Sequence, residues 1–107
     1  MFTRVEVCQA KSGRGEAVGN TVKDDLLPIM RKQLGFVDLV VLADKENPER
    51  LVCLSFWATR EEAEAYHSHY YNGITDMLKP ILKSPPTLES FSVIASTAHR
   101  IAVAVAA

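Results

Sequence analysis

Two side chains in this sequence are placed to act as general bases, one in a strand-like segment and one in a helical segment. Glu6 lies within the alternating segment FTRVEVCQA, and His67 lies in the helical segment that begins after Thr59. A carboxylate and an imidazole are the groups that most often accept a proton from a substrate. We therefore predict Glu6 and His67 as candidate catalytic bases. The alternative for Glu6 is structural, because a carboxylate in mid-strand needs a partner such as Arg4 or a residue across the strand.

Three aromatic residues are placed to border a pocket for a small apolar or aromatic molecule. Tyr66 and Tyr70 are one helical turn apart and therefore share a helix face, and Trp57 ends the apolar segment before that helix. We predict all three as substrate-binding residues. The alternative is that the tyrosines are core residues with satisfied hydroxyl groups and that Trp57 is a packing anchor. A pocket bordered by these side chains favours the first interpretation, and a solid core favours the second.

The histidines and cysteines do not form a metal site in this sequence. His67 and His69 are two residues apart, on roughly opposite sides of a helix, so one metal ion cannot contact both there, and His99 lies in the C-terminal tail. Cys8 and Cys53 fall inside apolar strands and lack the spacing of a ligand or disulfide framework. We expect both to be reduced core residues of a cytoplasmic protein.

The elements that must position these residues follow the order β-α-β-β-α-β. We predict strands at residues 2–10, 36–43, 51–57 and 88–95, a helix at residues 14–34, and a second helix after a capping box at Thr59. Pro28 predicts a bend in the first helix, and Gly73 predicts an interruption in the second. This order is that of the ferredoxin-like α+β fold, a four-stranded antiparallel sheet with both helices on one face. Right-handed crossovers place the first and third strands in the middle.

Two of the predicted strands, residues 36–43 and 51–57, are apolar on both faces. The helices of a ferredoxin-like fold cover only one face of the sheet, and nothing else in the sequence is placed to cover the other. A bare apolar face of several hundred Å² is roughly the largest that monomers usually expose. We therefore predict a homodimer in which two chains pack sheet against sheet.

Composition narrows the range of partners. The 107 residues allow one domain, and the net charge of −1 gives no electrostatic attraction for a nucleic acid or an anionic membrane. The third strand, LVCLSF, also lacks the basic and aromatic residues by which RNA-binding modules of the same topology stack bases. No apolar run approaches the roughly 20 residues of a membrane helix, and Met1 leads directly into strand-like sequence without a secretory signal.

Three short motifs carry a resemblance to a known family. They are Leu34-Gly35-Phe36 before the second strand, Ser55-Phe56-Trp57 at the end of the third, and Thr59-Arg-Glu-Glu-Ala63 at the start of the second helix. Together they resemble the antibiotic biosynthesis monooxygenase family, in which two ferredoxin-like chains close a dimeric α/β barrel. The resemblance covers a domain at residues 1–96. It leaves a tail at residues 97–107, whose alternating segment 98–105 we expect to dock on the partner subunit. The alternative is a disordered chain end.

This resemblance implies a cofactor-independent monooxygenase that acts on a small aromatic or phenolic substrate. The haem-degrading branch of the family has an asparagine in the first strand, then a tryptophan and an iron-ligating histidine on the second helix. Glu6, Tyr66 and Asp76 occupy the corresponding positions here, so we expect neither haem nor another cofactor. A non-catalytic homodimer that binds a small apolar molecule, or regulates through it, is the alternative from a different functional class.

Overall fold

The chain folds in the predicted order, β-α-β-β-α-β, in a computed structural model that describes residues 1–101. The elements are β1 (Phe2–Gln9), α1 (Gly15–Thr21), a π-helical turn (Val22–Leu26), α2 (Leu27–Arg31), β2 (Phe36–Ala43), β3 (Arg50–Trp57), α3 (Arg60–Leu78) and β4 (Thr87–Ser92). The ferredoxin-like α+β class predicted from the sequence is therefore confirmed. The last strand is shorter than predicted, since it ends at Ser92 and not at residue 95.

The four strands form one antiparallel sheet in the order β2-β3-β1-β4, so β1 and β3 are central as predicted. Arg4 is opposite Ser55 in the β1–β3 register, and Glu6 is opposite Cys53. Side chains alternate between the faces of a strand, and these four residues contact a cavity that helix residues also line. The charged face of β1 is therefore the face that the helices cover, which we call the helix face.

The first helical region is interrupted where Pro28 predicts a bend. Pro28 has no backbone N–H to donate and lies in the first turn of α2, directly after the π-helical turn. The turn adds one residue to the helical repeat, and its residues Val22 and Leu26 remain buried against the sheet. The sequence prediction of an interruption is confirmed here, and its form is a π turn.

The predicted interruption at Gly73 is wrong, because α3 runs without a break from Arg60 to Leu78. A glycine in a helix costs only about 1 kcal/mol relative to alanine. Ile74 and Leu78, which follow Gly73 in the same helix, are buried in the core and hold this part of α3 in place. Packing therefore outweighs the local preference of one exposed glycine.

The start of α3 is held by the predicted capping box. The Thr59 Oγ1 accepts a hydrogen bond from the Glu62 N–H (3.2 Å) and donates one to the Glu62 carboxylate (2.8 Å). The Glu62 carboxylate thus contacts the Thr59 hydroxyl, whereas the sequence pattern predicts a contact with the Thr59 amide. Gly35 has φ +82°, and a Cβ atom there would collide with the Glu62 side chain. The start of β2 and the start of α3 are therefore packed closely together.

The core lies between the helix face of the sheet and the three helices. Its largest cluster joins β1 and β3 to α1, the π-helical turn and α3, and a second cluster contains Met30, Trp57 and Ala63. Three residues that lie at helical spacing from buried residues in the sequence are nevertheless exposed, namely Leu34, Tyr70 and Met77. None of the helices in the part of the chain that the structure describes is long and apolar enough to cross a membrane.

The opposite side of the sheet, which we call the open face, has no helix over it within residues 1–101. Its apolar side chains are Val5 and Val7 of β1, Val40 and Leu42 of β2, Val52, Leu54 and Phe56 of β3, and Phe91 of β4. Val40 is 37 % exposed, and Leu42 and Phe91 are each 48 % exposed. The bare apolar face predicted from the two apolar strands is therefore present.

The described end of the C-terminal tail returns over this open face. The His99 Nε2 lies 3.1 Å from the Asp38 Oδ2, and the His99 ring is 5.6 Å from the Phe56 ring. Asp38 and Phe56 are cross-strand partners on β2 and β3. Half of the segment 98–105, which we predict to dock on a partner subunit, lies beyond the described residues, and its docking stays a prediction.

Candidate functional site

A small cavity of about 40 Å³ lies between the helix face of the sheet and the helices. Strands β1, β2 and β3 form its floor, and side chains from the π-helical turn, α2 and α3 form its roof. Its polar lining consists of Arg4, Glu6, Ser55, Tyr66, His67 and Tyr71. A cavity of this volume holds one or a few water molecules. An aromatic ring therefore enters only if side chains of the wall move.

Glu6 projects from the middle of β1 into this cavity. Within residues 1–101 its carboxylate forms no salt bridge and no hydrogen bond with another group. Burial raises the pKa of the Glu6 carboxyl above its ordinary value, and the nearby charge of Arg4 offsets part of this effect. The ion pair with Arg4, which was the structural alternative for Glu6, is thus not formed, and the carboxylate is free to contact a molecule in the cavity.

Arg4 is the charged neighbour of Glu6 on the same face of β1. Its Nε–H is buried and has no hydrogen-bond partner in the described part of the chain. The guanidinium lies over the Phe2 ring, with its central carbon 5.6 Å from the ring centroid, which is a cation–π contact. Glu64, on the facing helix, is already paired with Arg60 at 2.8 Å. Arg4 is therefore held in position without being neutralised by an ion pair.

His67 lies on α3 and contributes to the cavity wall together with Tyr71, one turn further along. The two rings stack with centroids 4.2 Å apart. Burial and, to a smaller extent, the charge of Arg4 lower the pKa of the His67 imidazole. Its neutral form, which can accept a proton, is therefore favoured near neutral pH.

Of the three predicted binding aromatics, only Tyr66 borders the cavity. Trp57 is fully buried behind it, with its ring 5.0 Å from the Tyr66 ring and its Nε1–H donating to the Ser55 Oγ at 3.0 Å. Tyr70 stacks on the outer side of Tyr66 at 5.5 Å and is 38 % exposed. Trp57 and Tyr70 thus lie outside the lining and fix the position of Tyr66 from both sides. Burial, more than the nearby charge of Glu6, raises the pKa of the Tyr66 hydroxyl.

The cavity also contains residues that the sequence analysis did not assign to the site, and the main ones are Arg4, Tyr71, Cys8 and Cys53. Arg4 lies two residues before Glu6 in β1, so the two side chains share a face of the strand. Tyr71 lies one helical turn after His67 in α3. Sequence spacing alone was therefore sufficient to place Arg4 beside Glu6 and Tyr71 beside His67. Both cysteines are free thiols, as predicted. A hydrogen bond between them lowers the pKa of Cys8 and raises that of Cys53.

No group of three His, Cys, Asp or Glu side chains within residues 1–101 is arranged to hold a metal ion. Asp76, which stands where the haem-degrading pattern has its iron ligand, lies in a separate surface groove beside Lys79 and Pro80. His69 is exposed and contacts the edge of the Tyr70 ring. The three groups at the haem-associated positions, Glu6, Tyr66 and Asp76, therefore do not share one site.

Comparison with known proteins identifies one family model. The model described as "Antibiotic biosynthesis monooxygenase" matches residues 1–71, which include β1, β2, β3 and the larger part of α3. A comparison with curated proteins finds no match to this chain.

Solved structures share the fold at low sequence identity. A monooxygenase of Streptomyces coelicolor in complex with nanaomycin D superposes with a TM-score of 0.77 at 13 % identity, covering 89 % of this chain and 88 % of that chain. A candidate antibiotic biosynthesis monooxygenase of Nitrosomonas europaea gives 0.75 at 18 % identity, with 89 % and 100 % covered. A conserved protein of Methanosarcina mazei gives 0.72 at 22 % identity, with 84 % and 89 % covered. At these identities the structural matches establish the fold alone.

Proposed function

The chain belongs to the antibiotic biosynthesis monooxygenase family, and from this premise we propose that it is a monooxygenase that oxidises a small aromatic or phenolic substrate without a cofactor. The observation that carries the proposal is the polar cavity on the helix face, in which the unpaired Glu6 carboxylate has a raised pKa. The S. coelicolor monooxygenase of the same fold was solved with nanaomycin D bound, which supports a small organic molecule as the ligand class.

The chemistry requires no external reductant if the substrate is a phenol that becomes a quinone. This conversion is a four-electron oxidation, in which the phenol loses two hydrogen atoms and gains one oxygen atom. One dioxygen molecule accepts the four electrons, and its two atoms become the new quinone oxygen and the oxygen of one water. The phenolate is the electron donor, so the protein must bind the phenol, remove its proton and hold the anion beside dioxygen.

Glu6 is the first candidate for removing the phenolic proton. A general base works best when its pKa is near the operating pH, and burial moves the Glu6 pKa upward in that direction. His67 is the second candidate, because its neutral imidazole also lines the cavity. The face of Tyr66 supplies an aromatic contact for the substrate ring, and Trp57 and Tyr70 hold Tyr66 in place from either side.

We also propose that two chains associate through the open face. Leu54 lies near the centre of this face, opposite Val5 on one side and Val40 on the other. Burying such a face removes apolar area from water, at about 25 cal/mol per Å². The cavity is on the other side of the sheet, so dimerisation leaves it accessible. The free thiols Cys8 and Cys53 support a reducing, cytoplasmic setting for the homodimer.

A second candidate function, non-catalytic binding of a small apolar molecule, is favoured by the apolar part of the cavity wall, which consists of Val22, Leu26, Met30, Leu39, Ile74 and Leu78. The cavity of about 40 Å³ must widen for either function. A binding protein and an oxygenase differ in one measurable respect, because only the oxygenase consumes dioxygen.

The test is dioxygen consumption by the purified dimer with a series of naphthols, measured with an oxygen electrode in the presence of a metal chelator. We expect wild-type protein to consume dioxygen and the Glu6→Gln variant to be about 10²–10⁴-fold slower. Glu46→Gln, which removes an exposed loop carboxylate, is the matched control and should retain full activity. Binding of naphthols without dioxygen consumption would establish the non-catalytic alternative.

A further inference from the structure

Arg4 lacks the partner that a buried guanidinium N–H requires. Its Nε–H is buried and unpaired within residues 1–101, and none of the salt bridges found there involves Arg4. Buried donors without an acceptor are rare in folded proteins, and each one calls for an explanation. The two carboxylates near Arg4 do not provide the acceptor, since Glu6 forms no ion pair with it and Glu64 is bound to Arg60. This donor therefore has no acceptor within residues 1–101.

The position of Arg4 is fixed by its surroundings. Its backbone lies in the central strand β1, paired with Ser55 on one side and Ser90 on the other. Its guanidinium rests on the Phe2 ring at 5.6 Å. A side chain ordered in this way loses little further conformational entropy when it binds a ligand. Arg4 is therefore arranged in advance for an incoming anion.

Arg4 stands between the internal cavity and a surface groove of about 460 Å³. Its own side chain lines the cavity, while Phe2, which it covers, and Ser90, its cross-strand neighbour, line the groove. A ligand that reaches the cavity from the groove thus passes the unpaired guanidinium edge.

The charges around Arg4 indicate which anion fits. The planar guanidinium matches a carboxylate, which it binds through two parallel N–H···O bonds. Glu6 and Glu64 are both close enough for Arg4 to influence their pKa values. Two acidic neighbours around a single arginine disfavour a dianion such as phosphate and tolerate a monoanion. A carboxylate is therefore the best match.

We propose that Arg4 binds a carboxylate group of the substrate, so that the preferred substrates are phenolic acids and not neutral phenols. This inference rests on the proposed function for the phenolic part of the substrate, and it adds the anionic group and the residue that selects it. Arg4 acts here as a binding and specificity-determining residue. It takes no part in proton or electron transfer.

The test compares equilibrium binding of two probes that differ by one carboxylate, naphthol and hydroxynaphthoic acid. Affinities are measured by isothermal titration calorimetry on the wild-type dimer under nitrogen, so that no turnover is needed. We expect hydroxynaphthoic acid to bind at least about tenfold more tightly than naphthol, because it adds a charge-assisted bidentate contact. Arg4→Gln should remove this preference, and Arg4→Lys should retain part of it through charge alone.

The matched control is Arg31→Gln, which removes the same charge from an exposed position at the end of α2 and should leave the preference intact. Equal affinity for the two probes in wild-type protein overturns the inference, as does failure of the acid to bind at millimolar concentration. A preference that survives in Arg4→Gln, or that disappears in Arg31→Gln, also overturns it. If Arg4→Gln does not fold, the wild-type comparison together with Arg4→Lys decides.

The outcomes separate this inference from the proposed function. Selective binding of the acid without dioxygen consumption in air supports the carboxylate site and contradicts the oxygenase. Dioxygen consumption with naphthol and the acid at equal affinity supports the oxygenase and contradicts the carboxylate site.

Discussion

The two faces of the sheet reverse the usual distribution of polar and apolar side chains. On the helix face, the charged residues Arg4 and Glu6 are covered and line a cavity. On the open face, the apolar side chains of Leu42 and Phe91 are about half exposed. Single exposed apolar residues are common on protein surfaces. Clusters of buried charged residues and contiguous exposed apolar patches are not, and they call for a functional explanation. We propose a ligand for the helix face and a second chain for the open face.

This comparison separates residues that serve packing from residues that serve function. Trp57 is buried, and its side-chain N–H donates a hydrogen bond to Ser55, so its one polar side-chain atom has a partner within the chain. Arg4 and Glu6 are covered but remain unpaired within residues 1–101. Trp57 therefore differs from Arg4 and Glu6 in whether the polar side-chain atoms have partners, and the degree of burial alone does not show this difference.

The largest effect on stability is expected on the helix face, from Trp57→Ala. Removing a fully buried tryptophan should lower the free energy of unfolding by about 3–5 kcal/mol, because the core cannot close the space. Tyr70→Ala removes an exposed member of the same aromatic stack and should cost much less. Urea unfolding at fixed protein concentration measures both. Similar losses for the two variants would show that Trp57 is not the anchor of this stack.

The next largest effect is expected on the open face, from Leu54→Asp. A carboxylate buried without a partner in a sheet-against-sheet interface should weaken dimerisation by about 3–5 kcal/mol, or roughly 10²–10⁴-fold in the dissociation constant. Ser68→Asp, on the exposed side of α3, is the control with the same added charge. Sedimentation equilibrium gives the masses. A wild-type protein that sediments as a folded monomer would contradict the explanation of the open face.

A smaller effect is expected from the ionisation of Glu6, which makes the free energy of unfolding depend on pH. Because the folded pKa of Glu6 is raised, the folded chain binds this proton more tightly than the unfolded chain. The contribution of Glu6 to stability therefore falls as pH rises above its ordinary pKa of 4.5 towards the folded pKa. Each pKa unit corresponds to about 1.4 kcal/mol.

Glu6→Gln, which cannot ionise, should therefore gain stability relative to wild type as pH increases through this window. The exposed control Glu46→Gln should show no such trend. Thermal or urea unfolding between pH 4 and pH 8 provides the comparison. A relative stability of Glu6→Gln that decreases with rising pH would mean that the Glu6 carboxylate is paired in solution.

The smallest effect is expected from the tail. A chain that ends at Thr97 should dimerise up to about tenfold more weakly, because it loses the contact of His99 with the open face. His99→Ala, which removes the contact with Asp38 at 3.1 Å, tests how much of that effect comes from one partly exposed pair, worth at most about 1 kcal/mol. Unchanged dimerisation in the truncated chain would leave the tail without a role in the interface.

The sequence was sufficient to predict the fold, because each element has its own local signal. Alternation marks β1, the apolar runs mark β2 and β3, and the capping box at Thr59 marks the start of α3. Gly73 was misjudged because packing of the buried residues around it outweighs its low helix propensity. The exposure of Tyr70 and Met77 was not predictable, because helical spacing defines a stripe without defining how much of its width the sheet covers.

The site was only partly predictable for a related reason. Alternation shows that Arg4, Glu6 and Cys8 share a face, but it does not show which face the helices cover. A charged set is ordinarily assigned to solvent, and here it is covered. The unpaired state of Arg4 and Glu6 depends on atomic distances across strands and helices, which a single sequence does not contain.

The central claim is that the cavity above Glu6 is an oxygenase site, and oxygen isotope labelling tests it most directly. Metal-free wild-type protein would be incubated with a naphthol or hydroxynaphthoic acid under ¹⁸O₂, and the product would be analysed by mass spectrometry. We predict a quinone that carries one labelled oxygen atom, formed by wild type and by Glu46→Gln and strongly reduced with Glu6→Gln. Product without the label would contradict the oxygenase assignment, and labelled product formed equally by Glu6→Gln would exclude Glu6 as the base and leave His67 as the candidate.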